Sequence, residues 1–139
     1  MVDLLDGWED WIAYFEARLA QPLDRVDGED GSITYTSGQP GEVVVRLTRA
    51  SIVVSEFAVA WDGPHTLVPA PRRLGSVRWR RLGSSRAIAV IEHLLTAARE
   101  ARRARYQLCR SCDRSQPPEW MYDEATCQEC ADAHVEVVH

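Results

Sequence analysis

Hydrophobic positions along the chain change their spacing twice, dividing it into a helix, a run of strands and a second helix. Between Asp6 and Ala20, the residues Trp8, Trp11, Ile12, Phe15 and Leu19 fall at i, i+3, i+4, i+7 and i+11, the stripe of an amphipathic helix. Asp6 stands where an N-cap belongs, Glu9 and Asp10 suit the positive end of the helix dipole, and Gln21-Pro22 stops the run. Asp24 to Gly31 is polar and acidic and reads as a surface loop. From Ser32 to Leu82 the period becomes two and β-branched residues dominate. Strands are predicted at Ile33 to Thr36, Glu42 to Thr48, Ser51 to Trp61, Leu67-Val68 and Ser76 to Leu82, with Gly- and Pro-containing breaks at residues 37–41, 62–65 and 69–71. Breaks this short demand a mostly antiparallel sheet, because a parallel crossover needs a dozen or more residues. In the last strand Val77, Trp79 and Arg81 alternate with Arg78, Arg80 and Leu82, so arginine lies on both faces, as at a sheet edge.

The second helix is predicted from Ser84 or Ser85 to about Tyr106, burying Ile88, Ile91, Leu94, Leu95 and Ala98. Its second half, Arg99 to Arg105, stays helix-favouring but loses its large apolar residues, so it is expected to project beyond the core. The predicted fold class is α+β: a mostly antiparallel sheet flanked by two helices over residues 1–106, followed by a small separate module over 107–139.

The length of 139 residues, 45% of them apolar, suits one ordinary core and a stapled appendage and excludes a large multidomain enzyme or a wholly disordered chain. No stretch approaches the roughly 18 apolar residues of a membrane span, and residues 1–6 are acidic where a signal peptide is basic. A soluble, cytoplasmic protein is the expectation. Lysine and asparagine are absent, so all 16 basic residues are arginine; both missing types use codons beginning AA, and a GC-rich genome is the plainest cause. Charge is sorted along the chain. Residues 1–71 carry −8, residues 72–114 carry +9 with 12 arginines, and residues 115–139 carry −6. A basic centre between acidic ends either binds an anionic partner or pairs with its own flanks.

All four cysteines lie in the last module, as Cys109-Arg110-Ser111-Cys112, fourteen residues, then Cys127-Gln128-Glu129-Cys130. Two Cys-x-x-Cys pairs so separated suit a tetrahedral zinc site, each pair gripping one edge of the tetrahedron. Two disulfides or four idle thiols are the alternatives, and the missing secretory signal weighs against the first. From Leu108 to His139 the chain resembles the four-cysteine zinc fingers of the zinc-ribbon and treble-clef kind. Thr126 with Glu129 forms a capping-box pattern that would start a helix at Cys127, and a loop knuckle plus a pair at a helix N-terminus is the treble-clef arrangement. Arg110 and Arg114 lie near enough in sequence to offset the formal −2 of four thiolates around a zinc dication. No glycine follows either pair; Asp113 and Ala131 stand there. Four thiolates leave no open coordination position, so a structural Zn2+ is expected rather than a catalytic one. His134 is an alternative ligand, read here as an exposed helix residue.

Two further features bear on partners. Trp120-Met121-Tyr122 is either an exposed aromatic anchor for a partner or the apolar lid that packs the zinc module onto its own domain, the lid being the default. Arg99, Arg102, Arg103 and Arg105 on the projecting helix, with Arg72, Arg73, Arg78, Arg80 and Arg81, make the case for nucleic acid, with residues 99, 102 and 103 sharing a helical face. The acidic pI and the absence of a recognition helix or RNP motif weigh against it. His65 and His93 are isolated, and neither a phosphate loop nor a nucleophile elbow is present. The expectation is a non-enzymatic zinc-binding regulatory or adaptor protein that binds nucleic acid through its arginines. A module meeting an acidic protein partner, or closing a homodimer, is the alternative.

Overall fold

The computed structural model describes residues 7–138, with side chains as far as Ala133. The chain divides into two compact units, with the boundary between Arg102 and Arg103.

In the first unit, helix α1 (Trp8–Arg18) turns Trp11 and Phe15 fully inward, with Leu19 just beyond its end. Its N-cap is Gly7, which makes no side-chain cap bond; Asp6, the expected cap, lies outside the described residues. The strands β1 (Leu23–Asp27), β2 (Ile33–Ser37), β3 (Val43–Leu47), β4 (Ile52–Glu56) and β7 (Arg72–Val77) form one antiparallel sheet in the order β1-β2-β3-β4-β7. Alternate residues of that sheet, among them Ile33, Tyr35, Val45, Val54 and Val77, share one cluster with Trp11 and Phe15 of α1 and with Ala87, Ile91, Leu95 and Ala98 of helix α3 (Ser84–Ala104). Both helices therefore cover the same sheet face. The fold is α+β, with a mostly antiparallel sheet, as the change of hydrophobic period implies.

Three segments differ from expectation. Residues 23–27, read as loop, form edge strand β1, four of whose five residues are exposed; an edge strand with two wet faces carries no apolar alternation, and backbone pairing to β2 defines it. The long strand expected over Ser51 to Trp61 breaks at Phe57-Ala58, where Phe57 N–H donates to Glu42 O and the chain leaves the sheet for the hairpin of β5 (Val59–Trp61) and β6 (Leu67–Pro69). The strand expected over Ser76 to Leu82 begins earlier, at Arg72, and ends at Val77; Trp79–Leu82 is a helical turn, α2. Val77 and Trp79 are both buried but belong to different elements, so their period of two is a coincidence of burial. Trp79 fixes the turn by donating its indole N–H to Thr48 O at 2.9 Å. Gly83, at φ 84, then redirects the chain into α3, a left-handed conformation that glycine adopts without strain.

In the second unit, β8 (Gln107–Leu108) pairs antiparallel with β9 (Ser115–Gln116), a 3-10 turn covers Pro118–Trp120, and helix α4 spans Gln128–Val138. Among the described residues no helix is long and apolar enough to cross a membrane.

Candidate metal centre

The β8–β9 hairpin exists to make a knuckle. Cys109 N–H donates to Arg114 O at 2.9 Å and Asp113 N–H returns to Cys109 O at 2.8 Å, closing a tight turn around Cys109 and Cys112. The turn is closed without glycine: Asp113 itself takes φ 59, and aspartate is among the few residues that tolerate that region. Arg110 N–H donates to Ala125 O at 2.8 Å, tying the knuckle to the loop that carries the second pair. In that loop Asp123 Oδ1 accepts from the N–H groups of Ala125 and Thr126, both at 2.8 Å, and Met121 bridges to Cys127. Helix α4 starts at the next residue, so Cys127 and Cys130 straddle its first turn. The expected Thr126–Glu129 capping box is not what starts it: the Glu129 carboxylate accepts from Arg114 instead, at 3.1 Å, and the Asp123 turn orders Thr126.

The result brings all four sulfur atoms within 4.8 Å of one another, with Cys109 and Cys127 buried and Cys112 and Cys130 half-buried. None is in a disulfide. A tetrahedral metal with sulfur ligands at ~2.3 Å requires S···S separations of about 3.8 Å, and Cys112 and Cys127 Sγ lie 4.0 Å apart. The donor set therefore fits a thiolate-bound metal ion with only a small contraction. Among the described residues it is the one group of three or more His, Cys, Asp or Glu whose donor atoms converge. His134, the alternative ligand, has no described side chain.

The surroundings favour anionic sulfur. Cys109 Sγ accepts the Cys127 backbone N–H at 3.3 Å, and this bond, with the N–H groups of Cys112 and Ser111 and against the effect of burial, lowers the Cys109 thiol to about 6. Cys112 is also lowered, first by the Arg114 guanidinium, whose Nε lies 3.5 Å from its sulfur. Cys130 goes the other way, to about 12, because its thiol is hydrogen-bonded with Cys127, withdrawn from water and crowded by the other sulfurs. The surroundings thus favour the anionic form at Cys109 and Cys112 and the protonated form at Cys130. A metal ion that recruits all four sulfurs binds them as thiolates and displaces whatever protons they carry.

The other candidate residues are not gathered into one site. Arg102 is withdrawn from solvent at 2% exposure: Nε donates to Gly41 O at 2.9 Å and the guanidinium lies over the Phe57 ring, 5.0 Å from its centroid. It is a core residue of the first unit, which overturns its placing on a projecting face. Arg99 is partly buried and paired with Glu42 at 3.7 Å. Helix α3 is thus held by its own unit through residue 102, four residues beyond Ala98, the last position of its apolar stripe, because sequence periodicity does not count a buried arginine as core. Arg103, Arg105, Arg78 and Arg80 are exposed. Trp120 and Tyr122 are 42% and 71% exposed. His65 and His93 are exposed as well. No protein-family model, curated protein or solved structure matches the chain.

Proposed function

We propose that the chain is a non-enzymatic binding protein of regulatory or adaptor type, in which a structural zinc ion holds the second unit together and the arginine-rich part of the chain engages nucleic acid. One observation carries the zinc reading: two sulfurs from a hairpin knuckle and two from the first turn of a helix, all within 4.8 Å. That disposition supports the treble-clef reading. An all-thiolate tetrahedron suits zinc, whose closed sites of this kind shape a chain and leave no position for water or substrate. Arg114 and the N-terminus of α4 supply positive charge to a centre that is formally −2. The second unit is short of residues with which to build a core, so the ion's binding energy would serve as its folding energy. When bound, zinc supplies coordination bonds rather than chemistry.

Nucleic acid is favoured as partner by the excess of +9 over residues 72–114. The test is association of the full-length, zinc-loaded protein with labelled duplex DNA and single-stranded RNA between 50 and 200 mM salt. Binding that falls steeply over this range is expected; no binding, or binding indifferent to salt, overturns the nucleic-acid reading.

A second reading is favoured by the exposure of Trp120 and Tyr122. Beside them a pocket of about 190 Å³ is lined by Gln116, Trp120, Cys127, Gln128 and Glu129. An aromatic wall on a metal-braced loop suits a protein partner or a second copy of the chain. A salt-resistant complex lost on Trp120→Ala would select it.

A further inference from the structure

We infer that the nucleic-acid surface is the segment Arg72 to Arg86, running along β7, α2 and the first turn of α3, and that it grips the phosphate backbone without reading bases. This inference rests on the nucleic-acid reading above and relocates its contacts away from the second half of α3.

Residues 63–91 contain no aspartate or glutamate but six arginines, Arg72, Arg73, Arg78, Arg80, Arg81 and Arg86. All six are exposed. Elsewhere in the molecule arginines find carboxylates: Arg18 with Glu92, Arg25 with Glu16 and Asp27, Arg46 with Asp30, Arg99 with Glu42, Arg114 with Glu129. Among the described residues none of the six is in such a pair. Arg73 donates to the Ser76 hydroxyl at 2.7 Å, and Arg80 lies over the Trp79 ring at 5.0 Å. The acidic flanks of the sequence therefore do not neutralise this segment, although they do neutralise arginines on either side of it.

An uncompensated cluster of like charge destabilises a fold through self-repulsion. The placement of Arg86 adds to this, for it stands in the first turn of a 21-residue helix that has no acidic residue there, at the end whose dipole disfavours a cation. An external polyanion relieves both terms at once. The geometry is extended, as a phosphate backbone requires: β7 is the edge of the five-stranded sheet, and the path from Arg72 to Arg78 covers about 20 Å at the rise of a strand. Duplex DNA offers a charge every ~1.7 Å over such a length.

The chemistry between the arginines separates nucleic acid from an acidic protein. A protein interface needs aromatic or aliphatic anchors clustered at its centre, yet Trp79, the segment's one aromatic residue, is turned into the core, and its exposed aliphatics, Leu74 and Leu82, stand singly among the arginines at 39% and 36% exposure. With no exposed aromatic within the segment to stack on a base, its contacts are confined to phosphate and sugar, and binding through it is independent of sequence.

The experiment uses full-length, zinc-loaded protein and a fluorescein-labelled 30-base-pair duplex of mixed sequence, read by anisotropy across 50–300 mM salt, with circular dichroism confirming that each variant is folded. The triple variant Arg72→Gln, Arg73→Gln, Arg81→Gln is expected to bind at least tenfold more weakly at 100 mM salt. Its log–log salt slope should fall by about 2 to 3, since each lost phosphate contact removes about 0.9. Arg103→Gln with Arg105→Gln should stay within threefold of wild type, and a duplex of scrambled sequence should bind wild type equally. Wild-type binding that survives the triple variant unchanged, or that is lost in the Arg103/Arg105 pair instead, overturns the inference while leaving the nucleic-acid reading in place. Wild type that binds no duplex at any salt overturns that reading and this inference with it.

Discussion

Replacing Arg102 by alanine should cost the first unit stability rather than any partner its affinity. The side chain is 2% exposed, donates through Nε to the Gly41 carbonyl at 2.9 Å and stacks over Phe57. A hydrogen bond from a charged donor contributes about 1.5–3 kcal/mol, a desolvated cation–π contact up to about 2 kcal/mol, and the vacated volume adds a cavity term. Allowing for overlap among these terms, Arg102→Ala should lose about 3 kcal/mol or more. A change of 3 kcal/mol corresponds to a melting point lower by roughly 12 °C or more for a unit of about 100 residues. Urea unfolding followed by tryptophan fluorescence measures this directly, since Trp11 and Trp79 belong to the same core. Arg102→Met, which keeps the apolar stem, should recover part of the loss. The surface comparison is Arg81→Ala, expected within about 0.5 kcal/mol of wild type. A loss below about 1 kcal/mol for Arg102→Ala would refute the assignment of this arginine to the core.

Three further outcomes follow from local geometry. Glu92 accepts from Arg18 at 2.6–2.9 Å and from the Tyr14 hydroxyl at 2.5 Å; burial raises its carboxyl, but these partners outweigh it and hold it below the ordinary 4.5. A carboxyl lowered by folding contributes stability above its unfolded value and loses it as pH falls through the folded one. Glu92→Gln should therefore be less stable than wild type at pH 7, by at most about 1 kcal/mol for a pair this exposed, and the gap should close below about pH 4 in denaturant titrations; a gap that widens in acid would contradict this. Asp113→Gly should leave the knuckle intact, whereas Asp113→Val should weaken metal retention against a competing chelator, because a β-branched residue at φ 59 is strained by about 1–2 kcal/mol. Chelation of the metal should remove the helical signal of α4 from the far-ultraviolet spectrum while the first unit keeps its cooperative unfolding transition; simultaneous loss of both would contradict a metal that serves the second unit alone.

The helices and the inner strands were legible because their cores are built from apolar residues at regular spacing. Trp11 and Phe15 repeat every fourth residue, and Ile33 with Tyr35 or Val43, Val45 and Leu47 repeat every second, each period reporting burial on one face. Strand β1 was not legible because Asp24, Arg25, Val26 and Asp27 are exposed and nothing in their side chains records the backbone pairing to β2. Helical turn α2 is too short to display a helical period, and Trp79 at its start imitates the next core position of a strand. At the metal centre the cysteine spacing revealed the ligands, while the missing glycines flagged Asp113 and Ala131 alike, of which only Asp113 takes a positive φ. The Asp123 turn that replaces the capping box was hidden, since it depends on backbone N–H groups that no side-chain pattern encodes. For the arginines, sequence gave charge but not its compensation: Arg99 and Arg102 look like Arg78 and Arg80 until Glu42 and Gly41 are seen beside them.

Zinc K-edge X-ray absorption on the purified protein, combined with elemental analysis, tests the central claim most directly. A structural centre made by Cys109, Cys112, Cys127 and Cys130 predicts one zinc per chain in a shell of four sulfurs at about 2.3 Å, lost in Cys127→Ser together with ordered α4. Protein that carries no metal, a shell containing oxygen or nitrogen in place of sulfur, or the four cysteines recovered as two disulfides would contradict it.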